Sequence, residues 1–258
     1  MTVVVMKSVS ILGCGWLGTP LAVSLLKDGC TVKGSTTSAY KISKLEALAI
    51  ETHLVNIEEY RALDSFLNSE ILIIAIPSKN TKAFQYLAQQ IENSPVQKVL
   101  FVSSTSVYPI LNSIVSENTD PLKTPLVEIE NFFAANPYFE TTILRLAGLF
   151  GPGRHPGSWF KNDKKIPYPR GFVNMIHQED CIKIVHQIIH QNCWNQTFNA
   201  CSNDHPTRED FYTRARKSLE LDRPIFEKSS ALKYKIVNSE KLQNTLNYVF
   251  IHDDLLSI

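Results

Sequence analysis

Along the first 150 residues, the spacing of apolar positions switches between two periods in a regular rhythm. The runs "SVSILG", "CTVKGST", "ETHLVNI", "EILIIAIP", "VQKVLFVSST" and "ETTILRLAGLFG" are short and apolar, and read as strands. Between them lie "LGTPLAVSLLKDG", "KISKLEAL", "EYRALDSFL", "TKAFQYLAQQIEN" and "PLVEIENFFAAN". These place apolar residues three and four apart, which predicts helices, the first stopping at Gly29. The unbroken apolar run Ile71–Pro77 suits a strand covered on both faces. This strand–helix alternation predicts an α/β fold with a Rossmann-type doubly wound parallel sheet.

Beyond Gly151 the texture changes. "GPGRHPGSWFKNDKKIPYPRG" reads as a long loop or lid. "FVNMIH" and "TFNACS" read as strands, and "QEDCIKIVHQIIHQN" as a helix whose acidic opening suits the helix dipole. "PTREDFYTRARKSLE" is a helix with Pro206 near its first turn. A short strand, "KYKIVN", and a short helix, "SEKLQNTLN", complete the tail. The expected layout is a dinucleotide-binding Rossmann domain over residues 1–152. A small C-terminal substrate lobe, integrated with the core, then covers residues 153–258.

Composition narrows the function classes. A chain of 258 residues with 44% hydrophobic and 20% charged positions can bury a sizeable core without staples. A net charge of +1 and no long basic run argue against nucleic-acid binding. Cys14, Cys30, Cys181, Cys193 and Cys201 are odd in number and form no C-x-x-C pair, which suits a reducing compartment. "MTVVVMKSVSILG" lacks the features of a signal peptide, and no apolar run is long enough to span a membrane. The expectation is a soluble cytoplasmic protein.

The chemistry starts at "ILGCGWLG". Gly13, Gly15 and Gly18 are spaced G-x-G-x-x-G between an apolar strand and an amphipathic helix, the context that gives this motif meaning. The first glycine permits a tight turn, the second a close approach of a pyrophosphate, the third close helix–strand packing. Trp16 and Leu17 complete the turn, whose helix N-terminus favours phosphate. The other reading is a glycine turn that binds nothing. An NAD site usually has Asp or Glu at the end of the second strand, about 20 residues on. Here "VKGSTTSAYK" has none, and Ser35, Thr36, Thr37, Ser38, Lys41 and Lys44 suit a 2′-phosphate instead. The expected cofactor is NADP, with NAD the alternative. Pro77, after the fourth strand, is expected to border the nicotinamide side.

With the glycine motif, "FVSSTSVYP", "LRLAGLFGPGR", "VNMIHQEDC" and "TFNACSNDHPTREDF" follow in order over nearly the whole chain. Together they resemble the extended branch of the short-chain dehydrogenase/reductase superfamily, which includes sugar-nucleotide epimerases, dehydratases and reductases. The resemblance implies that Ser104 polarises a substrate carbonyl, with Tyr108 as its partner. It also implies a Tyr-x-x-x-Lys pair one helix later, where a lysine beside a phenol favours the phenolate. This chain departs there: "LKTPLVEIENFF" puts Leu126 and Glu130 at the two places. The glycine motif departs too, since the branch usually carries G-x-x-G-x-x-G. Both differences point to atypical, NAD-dependent epimerase/dehydratase-like members.

Tyr108, Lys123 and His155 are substitute proton carriers, each with a plainer reading as packing or solvated residue. His186 and His190 have the i, i+4 spacing of metal ligands, but no glutamate follows the first and no third ligand is evident, so they read as an exposed polar face and no metal is expected. His177 and Asp180 match the family's "IHxxD" and read as architectural, with Asp180 accepting backbone N–H groups at a helix start. Arg154 reads as an anion clamp or a surface residue. Trp159, Phe160, Lys161, Lys164, Lys165 and Arg170 make a basic-aromatic loop that suits an anionic, nucleotide-sugar-like substrate, a subunit contact or plain loop. The functional expectation is an NAD(P)-binding oxidoreductase or epimerase/dehydratase-like protein acting on a small carbonyl or hydroxyl substrate. A dimer is common in the resembling family. The alternative is a dinucleotide-binding sensor without turnover. A β-hydroxyacid-type dehydrogenase is disfavoured by the strand "TFNACS" and the short tail.

Overall fold

The computed structural model describes residues 7–160, 164–228 and 231–257. In chain order the elements are β1 (Ser8–Leu12), α1 (Gly18–Lys27), β2 (Thr31–Thr36), α2 (Ile42–Glu46), β3 (Glu51–Leu54) and α3 (Asp64–Leu67). β4 (Ile71–Ile74), α4 (Thr81–Glu92), β5 (Lys98–Ser104), β6 (Ile114–Val115), α5 (Pro125–Ala134), β7 (Glu140–Leu146) and β8 (Gly148–Phe150) follow. The chain ends with β9 (Met175–His177), α6 (Gln178–His190), β10 (Thr197–Ala200), α7 (Arg208–Ser218), β11 (Ile236–Val237) and α8 (Glu240–Leu246).

Seven strands form one sheet in the order β10-β7-β5-β4-β1-β2-β3. β1 runs parallel to both β2 and β4, β2 to β3, and β4 to β5. Strand order therefore reverses beside β1, the switch point at which such sheets bind ligands. The predicted doubly wound α/β fold is present.

The chain divides into two compact units of three segments each. The first comprises the described residues of Met1–Ser103, Lys123–Leu144 and His186–Thr197; the second, those of Ser104–Leu122, Arg145–Val185 and Phe198–Ile258. In the first unit the core runs from Leu12 and Leu72 through Phe84 and Phe101 to Phe133 and Ile143. Helix ends there follow local chemistry. Asn80 caps α4 through Ala83 N–H at 3.2 Å, and Thr124 caps α5 ahead of Pro125. α1 stops at Gly29, whose φ of +82° lets the chain turn away. In the second unit β6 pairs with β11 and β8 with β9. Phe150, Ile166, Met175, Phe211 and Leu255 form its core.

Three expectations are corrected. "EYRALDSFL" holds only the four-residue α3, because Asn56 caps a 3-10 turn at Ile57–Glu59 and Tyr60 takes the left-handed conformation at φ 52°. "ETTILRLAGLFG" is two strands in two sheets. At Gly148 a Cβ would lie 3.1 Å from the Asn174 carbonyl oxygen and 2.6 Å from Met175 Sδ, so the second strand runs close against the start of β9. The loop after Gly151 is packed down through the described part. Gly157 sits where a Cβ would meet the Ala215 carbonyl at 2.2 Å, and Trp159 and Phe160 pack edge-on to Tyr212. Lys164, Lys165 and Arg170 are exposed, and Lys161 lies outside the described residues. No helix among the described residues is long and apolar enough to cross a membrane.

Candidate functional site

In a parallel sheet every strand points the same way, so the segments leaving β1, β2, β3 and β4 gather along one edge. There they line a cavity of about 530 Å³. Gly13, Cys14 and Gly15 come from β1, Thr36, Thr37 and Lys41 from β2. Val55, Asn56, Ile57 and Glu58 come from β3, and Ala75, Ile76, Pro77 and Ser78 from β4. A second cavity of about 320 Å³ shares Cys14, Gly15 and Lys41 and adds Trp16, Thr19, Tyr40 and Lys44.

The three glycines have different reasons to be glycine. Gly13 adopts φ +105°, and a Cβ there would meet Ile76 and the Ala75 carbonyl at 2.7 and 2.8 Å. A Cβ on Gly18 would lie 2.1 Å from the Gly13 carbonyl oxygen, so α1 starts against the turn itself. Gly15 is exposed, and a Cβ there would meet nothing within 4 Å. No contact within the protein demands glycine at position 15, whereas a group approaching the bare backbone would.

The turn is tied to β2. Gly13 N–H donates to Ser35 Oγ at 2.9 Å, and Cys14 N–H to the Ser35 carbonyl at 2.7 Å. The buried Ser35 hydroxyl thus holds the cradle from beneath. Thr36 Oγ1 accepts the Ser38 N–H at 3.1 Å, shaping the bend after β2. Ser38 is half-buried and does not line the cavity; Thr37 is exposed and does. Leu17 is buried beneath the turn. Burial pushes the Cys14 thiol up to about 11, which keeps it protonated and unreactive at neutral pH. Asn56, Glu58 and Ser78 are lining residues that sequence reasoning missed, and Glu58 accepts the Ser78 hydroxyl at 3.1 Å. The available signal was position: each follows a parallel strand at the edge where the glycine turn sits.

On α5, Leu126 packs half-buried against the core and Glu130 is buried, accepting the hydroxyl of Ser103. The two places where the resemblance implies tyrosine and lysine therefore hold a packing residue and a carboxylate engaged with β5.

The second unit holds the remaining residues. Ser104 is half-buried and its Oγ accepts the Ser106 N–H at 3.1 Å, capping a 3-10 turn. Tyr108 is 1% exposed. Its hydroxyl donates to Asn199 Oδ1 at 2.8 Å and accepts from Arg145 at 2.7 Å. Burial raises its pKa, against the pull of Arg145. The Lys235 ammonium donates to the carbonyls of Thr105 and Tyr108 at 2.8 and 2.6 Å. Burial lowers the pKa of that ammonium. Lys123, in the first unit, is exposed, and His155 Nδ1 accepts the Gly157 N–H. Asp180 does accept backbone N–H groups, but from the tail rather than its own helix. It binds Ile251 and His252 N–H at 2.8 and 3.1 Å and the Tyr248 hydroxyl at 2.7 Å. His177 lies against Phe150 and His252.

Comparison with known proteins agrees with the fold. No family model matches the chain. Protein YeeZ of Escherichia coli K12 is 32% identical over 97% of this chain and 98% of its own length. A conserved protein of unknown function from Silicibacter pomeroyi has a TM-score of 0.83 at 21% identity, covering 98% of this chain and 96% of that one. UDP-glucuronic acid 4-epimerase from Bacillus cereus, solved with NAD, has a TM-score of 0.77 at 17% identity, covering 96% and 95%. The fold is the one these structures share, an extended short-chain dehydrogenase/reductase-like α/β fold. By its identity over nearly its whole length, the chain belongs to the family of YeeZ.

Proposed function

We propose that this protein binds a nicotinamide dinucleotide at the glycine turn and acts on a small carbonyl- or hydroxyl-bearing substrate. It would do so as an NAD(P)-dependent oxidoreductase or epimerase/dehydratase-like enzyme. The observation that carries the reading is Gly15: an exposed glycine that no internal contact requires, at the head of α1 and opening on a cavity of about 530 Å³. A pyrophosphate is the group that needs bare backbone and a helix N-terminus together.

In this reading Gly13, Gly15, Trp16, Leu17 and Gly18 surround the pyrophosphate, and Pro77 borders the nicotinamide side. Val55 and Ile57 offer apolar walls, and Asn56 an amide, for the adenine. Thr36, Thr37 and Ser38 meet the adenosine ribose, and Ser35 holds the turn in shape. Lys41 and Lys44 are the cations that follow that bend and line the cavities beside it, and no carboxylate lies on the bend, so NADP is preferred over NAD. The bound dinucleotide would supply hydride transfer. Ser104 would donate a hydrogen bond to a carbonyl oxygen as charge builds on it. Tyr108, whose hydroxyl both donates and accepts within the protein, serves there as a positioning residue.

Residues 1–152 would carry the cofactor and residues 153–258 the substrate. The Bacillus cereus neighbour's substrate makes a nucleotide-sugar-like compound the first class to try. The reading places the protein in the cytoplasm and allows a homodimer. A second reading, a dinucleotide-binding sensor without turnover, is favoured by Leu126 and Glu130 on α5.

Titration of the purified protein with NADPH and NADH, followed by nicotinamide fluorescence, tests the reading. Saturable binding with NADPH tighter than NADH is expected. The reverse preference overturns the NADP assignment, and binding of neither overturns the dinucleotide site. Turnover of an alcohol, aldehyde or nucleotide-sugar panel then separates enzyme from sensor.

A further inference from the structure

Outside the dinucleotide cavity, the first unit brings together three donors that the proposed function does not use. His186 and His190 lie one turn apart on the last stretch of α6, their rings stacked with centroids 6.1 Å apart. Asp28, the residue closing α1, supplies the third ligand that the helix spacing alone does not show. One of its oxygens, Oδ2, lies 2.6 Å from His186 Nδ1 and 3.4 Å from His190 Nε2. All three donor atoms fall within 4.8 Å of one another.

We propose that Asp28, His186 and His190 form a binding site for a divalent transition-metal ion of the zinc type, stapling the end of α1 to the end of α6. Two imidazoles and a carboxylate, with water as fourth ligand, suit such an ion. Three further features favour it. The other nitrogen of His186, Nε2, lies 3.0 Å from Ser24 Oγ, an outer partner that orients a metal-bound ring. His186 is buried and fixed, while Asp28 and His190 are exposed enough to close on an ion. Both helices present their C-terminal, electronegative ends. Lys7 already takes the Ile189 carbonyl at 2.6 Å, so the side chains rather than that carbonyl hold the ion. When the ion binds, neutral His186 carries its single ring proton on Nε2, towards Ser24 Oγ, and the Nδ1 lone pair that faces Asp28 forms the bond to the metal, with no net proton released by the ring.

The test uses the full chain, stripped with chelator and carrying no polyhistidine tag, titrated calorimetrically with zinc chloride. One saturable site is expected, with a rise in melting temperature. His190→Ala and Asp28→Asn should each weaken binding at least about tenfold, and Ser24→Ala about tenfold with the metal-free melting temperature kept. His252→Ala, in the separate cluster of His177, Glu179 and His252, should change nothing. Absence of saturable binding overturns the proposal, as does binding that survives His190→Ala and Asp28→Asn or is lost with His252→Ala.

Discussion

The backbone N–H of Gly13 donates to the side-chain oxygen of Ser35 at 2.9 Å, so the end of β2 sets the shape of the turn after β1. Removing that acceptor leaves a part-buried donor without this partner. Ser35→Ala should therefore cost about 1–2 kcal/mol of stability and weaken dinucleotide binding several-fold, whereas Ser35→Thr keeps the hydroxyl. Urea unfolding and fluorescence titration read the two effects. An unchanged affinity in Ser35→Ala would show that the cradle holds its shape without β2.

The glycines give a sharper contrast. Ala at position 18 drives a methyl to 2.1 Å from the Gly13 carbonyl, so Gly18→Ala should destabilise the protein by about 1–3 kcal/mol or more. Ala at position 15 meets nothing, so Gly15→Ala should move stability by no more than about 0.5 kcal/mol. If a pyrophosphate lies against this turn as proposed, Gly15→Ala should nevertheless lose most dinucleotide affinity, because its methyl would stand in the path of that group. Equal affinity in Gly15→Ala and the unaltered protein would remove the observation on which the functional reading stands.

The same contrast marks how far the sequence could be read. Gly13, Gly15 and Gly18 announce themselves by spacing and by the strand and helix on either side. Gly29 announces the end of α1 in the same way. Asn56 and Glu58 carry no motif; they reach the cavity only because β3 is parallel to β2, a relation between segments that no local pattern encodes. Asp28 is silent for a similar reason. It meets His186 and His190 across 158 and 162 positions of chain, and an exposed aspartate after a helix has no periodicity to betray it. Tyr108 was visible as part of "SSTSVYP", but its burial between Arg145 and Asn199 was not. That burial depends on residues 37 and 91 positions away.

Tyr108 and Ser104 should separate in function. Tyr108→Phe removes one partner from each of two buried polar side chains and should cost about 1–3 kcal/mol. For a chain of this size that lowers the melting temperature by roughly 2–12 °C. Dinucleotide affinity should stay unchanged. Ser104→Ala gives up a 3-10 cap worth about 0.5–2 kcal/mol and, once a substrate is known, the hydrogen bond to its carbonyl. Its turnover should fall at least about a hundredfold, with KM little changed. If Tyr108→Phe instead abolished turnover at unchanged melting temperature, the proton carrier would be Tyr108.

Lys41 and Lys44 test the choice of cofactor. Lys41 lines both cavities and Lys44 the smaller one. If they hold a 2′-phosphate, Lys41→Ala with Lys44→Ala should weaken NADPH binding by about tenfold or more, the worth of one charge-assisted hydrogen bond. NADH, which lacks that phosphate, should bind the double variant nearly as before. A matched loss for both dinucleotides would mean that the lysines act on something the two share.

Acid should loosen the second unit. Burial lowers the pKa of His177 below the ordinary histidine value, helped by the charge of His252 and opposed by Asp180 and Glu179. Burial also lowers that of His205, against the Val173 carbonyl bonded to its Nδ1 at 3.1 Å. A group whose folded-state pKa is depressed binds its proton more readily in the unfolded chain. Stability is then fully present above the unfolded value, about 6.5, and is lost as pH falls through the lower folded values. The melting temperature should hold between about pH 7 and 8 and decline from about pH 6.5 downwards. His205→Gln keeps a hydrogen-bonding side chain but cannot titrate, so it should flatten part of that decline. A decline of equal steepness in His205→Gln would assign the acid sensitivity elsewhere, with His177→Asn the next variant to measure.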